Sequence, residues 1–172
     1  MKLRLLAASL LFVCTVAHSA EPAPLPKALE VQVERLVALV KDSYATGYPE
    51  AAMTQTLNTG EESQVTLVVF TVEGFGMGNN YSQYLAAFTP DENEEGVPYY
   101  SLLDVVRIGG DSWRAIDTLD AKLVSDPAGE QTLIDIPAME NTADDQANNP
   151  SKAVVIHLSL EGSQTQRLVE VK

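Results

Sequence analysis

The chain has 172 residues, with 11 Lys and Arg against 24 Asp and Glu, a single Cys and 45% apolar residues. That length suits one domain, and the apolar share is enough for a packed core, which excludes a globally disordered chain. The net charge of −13 excludes nucleic acid as a partner, because replacing phosphate counterions needs basic side chains, and it opposes docking on anionic lipid.

Residues 1–20 read as a signal peptide. Lys2 and Arg4 form the positive start, residues 5–16 an apolar run too short to span a bilayer, and Ala17, Ser19 and Ala20 the small residues of a cleavage site. Cleavage is expected after Ser19 or Ala20. Cys14 follows Phe12 and Val13 rather than a small residue, so the segment does not fit a lipoprotein signal. The expected location is the periplasm or the exterior. Losing this segment removes Lys2, Arg4 and Cys14, and takes the net charge to −15. No disulfide, thiolate nucleophile or thiolate metal ligand then remains. No other apolar run approaches spanning length, so a soluble chain with no membrane insertion is expected after cleavage.

Residues 21–26 form a Pro-rich, extended leader, and residues 27–172 a single domain. From Lys27 the apolar residues recur at helical steps: Leu29, Val33, Leu36, Val37, Val40 and Tyr44 on one face, Glu30, Glu34, Lys41 and Asp42 on the other. The pattern predicts an amphipathic helix over 27–46, stopped by Gly47 and Pro49. Residues 48–63 carry no decisive pattern. Residues 64–73 are rich in β-branched side chains and apolar on both pleat faces, as in a strand covered on both sides. Further strands are predicted over 81–89, 99–108, 112–119, 131–136, 152–160 and 165–171, with Gly109-Gly110 as a tight hairpin between the third and fourth. In 152–160, Val154, Ile156, Leu158 and Leu160 share one face, and Lys152, His157 and Ser159 the other. Acidic 90–96 and polar 140–151 are loops. The expected class is α+β: one N-terminal helix packed on an antiparallel meander sheet, or a partly rolled barrel, of about seven strands.

Several segments invite a chemical reading. Residues 73–80, EGFGMGNN, are Gly-rich after a strand, as in a dinucleotide fingerprint, but the spacing lacks the third glycine of that motif. A turn between antiparallel strands, with Gly74, Gly76 or Gly78 at positive φ, fits better. His157 lies mid-strand without a nucleophile motif, so no Ser-His triad is expected. Zinc needs several His or Cys ligands that this chain lacks. Asp91, Glu92, Glu94 and Glu95 in one loop, and Asp144, Asp145, Asn148 and Asn149 in another, supply oxygen ligands for calcium without the spacing of an EF-hand. Asp104, Asp117, Asp120 and Asp135 sit on or beside strands, where a converging pair would suit glycoside hydrolysis. Trp113 and Arg114, with Arg107, flank the Gly109-Gly110 turn and form the candidate binding patch; the alternative is a core Trp with both arginines paired to acids.

Two of these blocks occur together: residues 72–88, from Val72-Glu73-Gly74 through Asn79-Asn80-Tyr81 to Gln83-Tyr84-Leu85-Ala86-Ala87-Phe88, and residues 103–114, with Ile108-Gly109-Gly110 and Trp113-Arg114. In this the chain resembles an uncharacterised group of secreted bacterial proteins and lipoproteins with an EGxGxGNN–QYLAxF block followed by a GGxxWR block. Asp144-Asp145 and Pro150-Ser151 resemble what remains of that group's next loop, where cysteines often occur and here do not. The resemblance implies recurring structural elements and no activity. The resulting expectation is a non-catalytic, exported binding or interaction protein whose partner is an unidentified protein or small molecule, with no cofactor and no metal. The alternatives are a carboxylate-dependent hydrolase and a calcium-stabilised structural module.

Overall fold

The structure is a computed structural model and describes residues 25–61, 63–126, 131–162 and 165–171. The expected signal peptide, and the leader as far as residue 24, lie outside the described residues. One helix, α1 (Lys27–Val40), precedes ten strands: β1 (Thr46–Gly47), β2 (Met53–Asn58), β3 (Gln64–Glu73), β4 (Tyr81–Glu92), β5 (Pro98–Gly110), β6 (Arg114–Ala115), β7 (Lys122–Val124), β8 (Thr132–Glu140), β9 (Lys152–Glu161) and β10 (Arg167–Glu170). All strand pairs are antiparallel. The strand order is β1-β3-β4-β5-β6-β8-β9-β10, with β2 also on β3 and β7 also on β8, and the sheet stays unclosed. The α+β class holds, but the strand count exceeds the expected seven.

α1 buries Leu29, Val33, Leu36 and Val37, the three- and four-residue spacing that the sequence displays. It ends six residues earlier than expected. Lys41 is already extended, and the Asp42 carboxylate accepts the N–H groups of Tyr44 (2.9 Å) and Ala45 (2.8 Å). Such a side-chain turn competes with helix for the same donors. The chain then pairs Thr46 and Gly47 with Glu73 and Val72. Gly47 is not a helix stop but a close approach: a Cβ there would stand 2.6 Å from Val37 Cγ1.

β3 serves two cores. Val68, Phe70 and Val72 join α1, Ala86 and Phe88 in the helix-side core. Val65, Leu67 and Val69 face the other way, into an inner core with Leu57, Leu85, Ile108, Ile116, Ile134, Ile136, Ile156, Leu158 and Leu168. The expected pairing with the next strand is present, with Val69 opposite Leu85 and Phe70 opposite Tyr84, whose rings stack at 5.4 Å. β10 returns towards β5: Asp104 Oδ2 accepts the Leu168 N–H at 2.9 Å, and Arg114 grips Glu170. On the far side, the Gln55 amide of β2 bonds both the N–H (2.7 Å) and the C=O (2.8 Å) of Ala121, just before β7. The two ends of the long sheet thus share one apolar interior.

Other expectations need correcting. Gly109 and Gly110 do not make the hairpin turn; they belong to β5, and the turn is 111–113, with Ser112 at φ 57°. Only two residues of the expected 112–119 strand are in the ladder, because the buried Gln83 side chain takes the place of a strand neighbour, accepting the Ile116 N–H at 2.8 Å and donating to its C=O at 3.0 Å. Ser159 is buried rather than on an exposed face, and donates to Glu161 at 2.6 Å.

Candidate functional site

The Gly-rich turn is built from both sides. Gly74 (φ 82°) and Gly76 (φ 61°) take the left-handed conformation expected of them, and so does Met77 (φ 63°), while Gly78 is extended. The N–H groups of Gly74, Met77 and Gly78 bond Asn80 O, Gly74 O and Phe75 O. The Gly76 N–H reaches back to Asp42 Oδ2 at 2.8 Å. This bond, with those from Tyr44 and Ala45, holds the Asp42 carboxyl below the usual carboxylate range. A phosphate cradle needs free amides at a helix N-terminus. These four amides are already bonded, and the turn enters a strand.

Two other segments meet this turn. Asp111 N–H bonds Tyr81 O (3.1 Å), Ser112 N–H bonds Ala147 O (2.8 Å) and Asn141 N–H bonds Trp113 O (2.8 Å). The Gly-rich turn, the 111–113 turn and the 141–151 loop therefore gather at one end of the sheet. Asp145 organises the last of these, accepting from Thr142 N–H (2.7 Å) and from the Ser151 hydroxyl (3.0 Å) and N–H (3.1 Å). These bonds, that from Thr142 first, hold its carboxyl low.

A cleft of about 340 Å³ opens here, lined by Tyr44, Thr46, Tyr48, Glu73, Asn79, Asn80, Tyr81 and Asn148, with Gly74 and Gly78 in its wall. A neighbouring hollow of about 360 Å³ shares Glu73, Tyr81 and Asn148 and adds Thr71, Gln83 and Asp117. Burial, then the nearby Asp111 and Asp117 charges, push the Tyr81 phenol up. Three buried oxygens have no hydrogen-bond partner among the described residues: Asn80 Oδ1, Asp111 Oδ1 and Asn141 Oδ1. All three belong to the gathered segments. The amide nitrogens of Asn80 and Asn141 donate to Phe75 O (3.1 Å) and Gln146 O (2.8 Å), which fixes the orientation of both amides and leaves the oxygens as the open groups.

The residues singled out from sequence distribute unevenly. Trp113, Arg107 and Arg114 do come together: the guanidiniums lie 5.6 Å and 4.2 Å from the Trp113 ring centre. Arg114 is 7% exposed and holds Glu170 with two bonds, 2.8 and 2.6 Å, so its charge is committed to the fold. Arg107 is exposed and donates to Gly109 O at 3.3 Å. Neither arginine lines the cleft. The four strand acids have separate surroundings: Asp104 accepts from Leu168, Asp120 meets Lys122 at 3.3 Å, Asp135 bonds His157 at 2.7 Å, and Asp117 shares the lining of a hollow with Glu73. The expected acidic loop over 90–96 is shorter, because β4 runs on to Glu92; Asp91 takes the Tyr99 hydroxyl (2.7 Å) across the strand pair, and Asn93 caps the Glu95 and Val97 N–H groups. Among the described residues no group of three or more His, Cys, Asp or Glu is placed to hold a metal ion.

Tyr48 carries no sequence signal of a site, Glu73 and Tyr81 enter the sequence reading only as the two ends of the Gly-rich block, and the helical period assigned Tyr44 to the buried face. Tyr44 is 57% exposed and Tyr48 43% exposed. Aromatic residues flanking a turn-rich, polar segment were the available clue. No protein-family model, curated protein or solved structure matches this chain, so the cleft is read from its own chemistry.

Proposed function

We propose that this is a non-catalytic, exported binding protein that takes a small ligand, or a single side chain of a larger one, in the cleft beside the Gly-rich turn. The observation that carries this reading is one concavity at the end of the sheet, where the Gly-rich turn and Asn148 of the 141–151 loop meet two exposed tyrosines, Tyr44 and Tyr48. The likeness of residues 72–88 and 103–114 to blocks in secreted bacterial proteins supports it. So do the basic start and apolar run of residues 1–16, which read as an export signal. Buried acceptors without partners are uncommon in folded proteins, and one of the three here belongs to Asn80, a residue of the cleft lining.

Backbone amide NMR tests the reading. Fragment-sized cationic, neutral and anionic compounds are titrated, and at least one is expected to shift signals of residues 73–81 and 148 while remaining chemically unchanged. Turnover of a glycoside or ester panel, lost in Glu73→Gln or Asp117→Asn, would replace binding by carboxylate-dependent hydrolysis. For export, N-terminal sequencing of protein from the native host is expected to start at Ala20 or Glu21; intact Met1 in the cytoplasm would contradict it.

A further inference from the structure

We infer that the cleft selects an organic ammonium group, a protonated amine on a short aliphatic stem; this rests on the binding reading above. Three tyrosines, Tyr44, Tyr48 and Tyr81, share its lining with Glu73. Aromatic faces carry negative potential and attract a cation that has shed part of its water, and a carboxylate beside them strengthens the same preference. The neighbouring hollow shares Tyr81 and Glu73 and adds Asp117. No Lys, Arg or His lines either concavity. The nearby cations, Arg107 and Arg114, are gathered on Trp113 instead. An anionic ligand would therefore meet two carboxylates and no counter-charge.

The hydrogen-bonding groups point the same way. Asn80 lines the cleft, and its buried Oδ1 has no partner among the described residues. Its amide nitrogen is held by Phe75 O, so this residue asks for a donor and offers none. Asn148 and Thr46 add polar residues to the same lining. An ammonium head brings up to three donors and no acceptor. The aliphatic stem has the tyrosine rings to lie on.

Three probes with the same four-carbon chain separate charge from shape: butylammonium, butan-1-ol and butanoate, titrated against the full mature chain with amide shifts of residues 73–81 as readout. Butylammonium is expected to bind about ten-fold more tightly than butan-1-ol, with butanoate weaker still. Tyr48→Ala and Glu73→Gln are each expected to weaken butylammonium about three-fold or more, and Tyr48→Phe to retain it. Because the whole protein is acidic, Asp91→Asn serves as the control. It removes one exposed charge from the opposite end of β4 and is expected to leave binding unchanged. Equal affinity for butylammonium and butan-1-ol, or an equal loss in Asp91→Asn and Glu73→Gln, would overturn the ammonium inference and leave the cleft as a binding site. Absence of any cleft shift with all three probes would overturn both.

Discussion

The Gln83 side chain offers the sharpest test of how this sheet is held together. It is buried, and its amide satisfies both backbone groups of Ile116, itself buried. Gln83→Met keeps the length and most of the volume while deleting both bonds. The Ile116 N–H and C=O then stay in the interior without partners, at about 1–3 kcal/mol for each orphaned group, so a total of about 2–6 kcal/mol is expected. With a urea slope of about 2 kcal/mol/M, the unfolding midpoint should fall by roughly 1–3 M. Gln55→Met removes the matching pair of bonds to Ala121 from a less buried side chain; rewetting should limit its cost to about half as much. Equilibrium urea unfolding followed by Trp113 fluorescence measures both. A Gln83→Met cost below about 0.5 kcal/mol, the range of an ordinary surface substitution, would refute the claim that the amide stands in for a strand.

Gly47→Ala should destabilise by about 1–3 kcal/mol, since its Cβ would meet Val37 Cγ1 at 2.6 Å; combining it with Val37→Ala should cost less than the two single changes added together, as read from a double-mutant cycle of thermal melts. Gly76→Ala has open space around the new methyl, so only its φ of 61° matters, and a loss of roughly 1–2 kcal/mol is expected by chemical denaturation. Met77→Gly relaxes the neighbouring left-handed residue at φ 63° and should be neutral or stabilising, because the relief of backbone strain offsets the entropy that glycine adds to the unfolded chain. The Asp42 carboxyl is held low in the folded protein, by the Gly76 N–H above all, so its contribution is present above the unfolded carboxylate range and is lost as pH falls through the lower folded value. Melting temperatures from pH 6 to pH 2 should therefore drop less steeply in Asp42→Asn than in the unchanged protein.

Local pattern carried much of the architecture. Helical spacing located α1, and the continuous apolar run of β3 announced a strand covered on both faces, with its bounds at Gln64 and Glu73. The glycines after it announced a turn. What escaped is what distant side chains decide. The early end of α1 depends on Asp42 bonding Tyr44, Ala45 and Gly76, and with the helix shortened, Tyr44 leaves the buried face for the cleft. The strand expected over 112–119 is cut to Arg114–Ala115 by a glutamine 33 residues before Ile116. β1 and β7 have only two and three residues, below the length at which alternation can be read. β2, with Met53, Gln55 and Leu57 on one side, hides its period behind a half-buried amide. The cleft was invisible for the same reason. Its walls are joined by bonds from Asp111 to Tyr81 and from Ser112 to Ala147, between segments that no local periodicity links.

The double duty of β3 has a consequence for how the molecule comes apart. Leu67 and Val68 are neighbours in the chain, yet one belongs to the inner core and the other to the core beneath the helix. Peeling α1 away uncovers Val68, Phe70 and Val72 on the strand whose opposite face anchors the interior. The helix layer and the sheet interior are therefore expected to open as one cooperative unit. In native-state hydrogen exchange, amides of α1, β3 and β4 should share a single slowest class at the global unfolding free energy, with no independent subglobal opening of the helix.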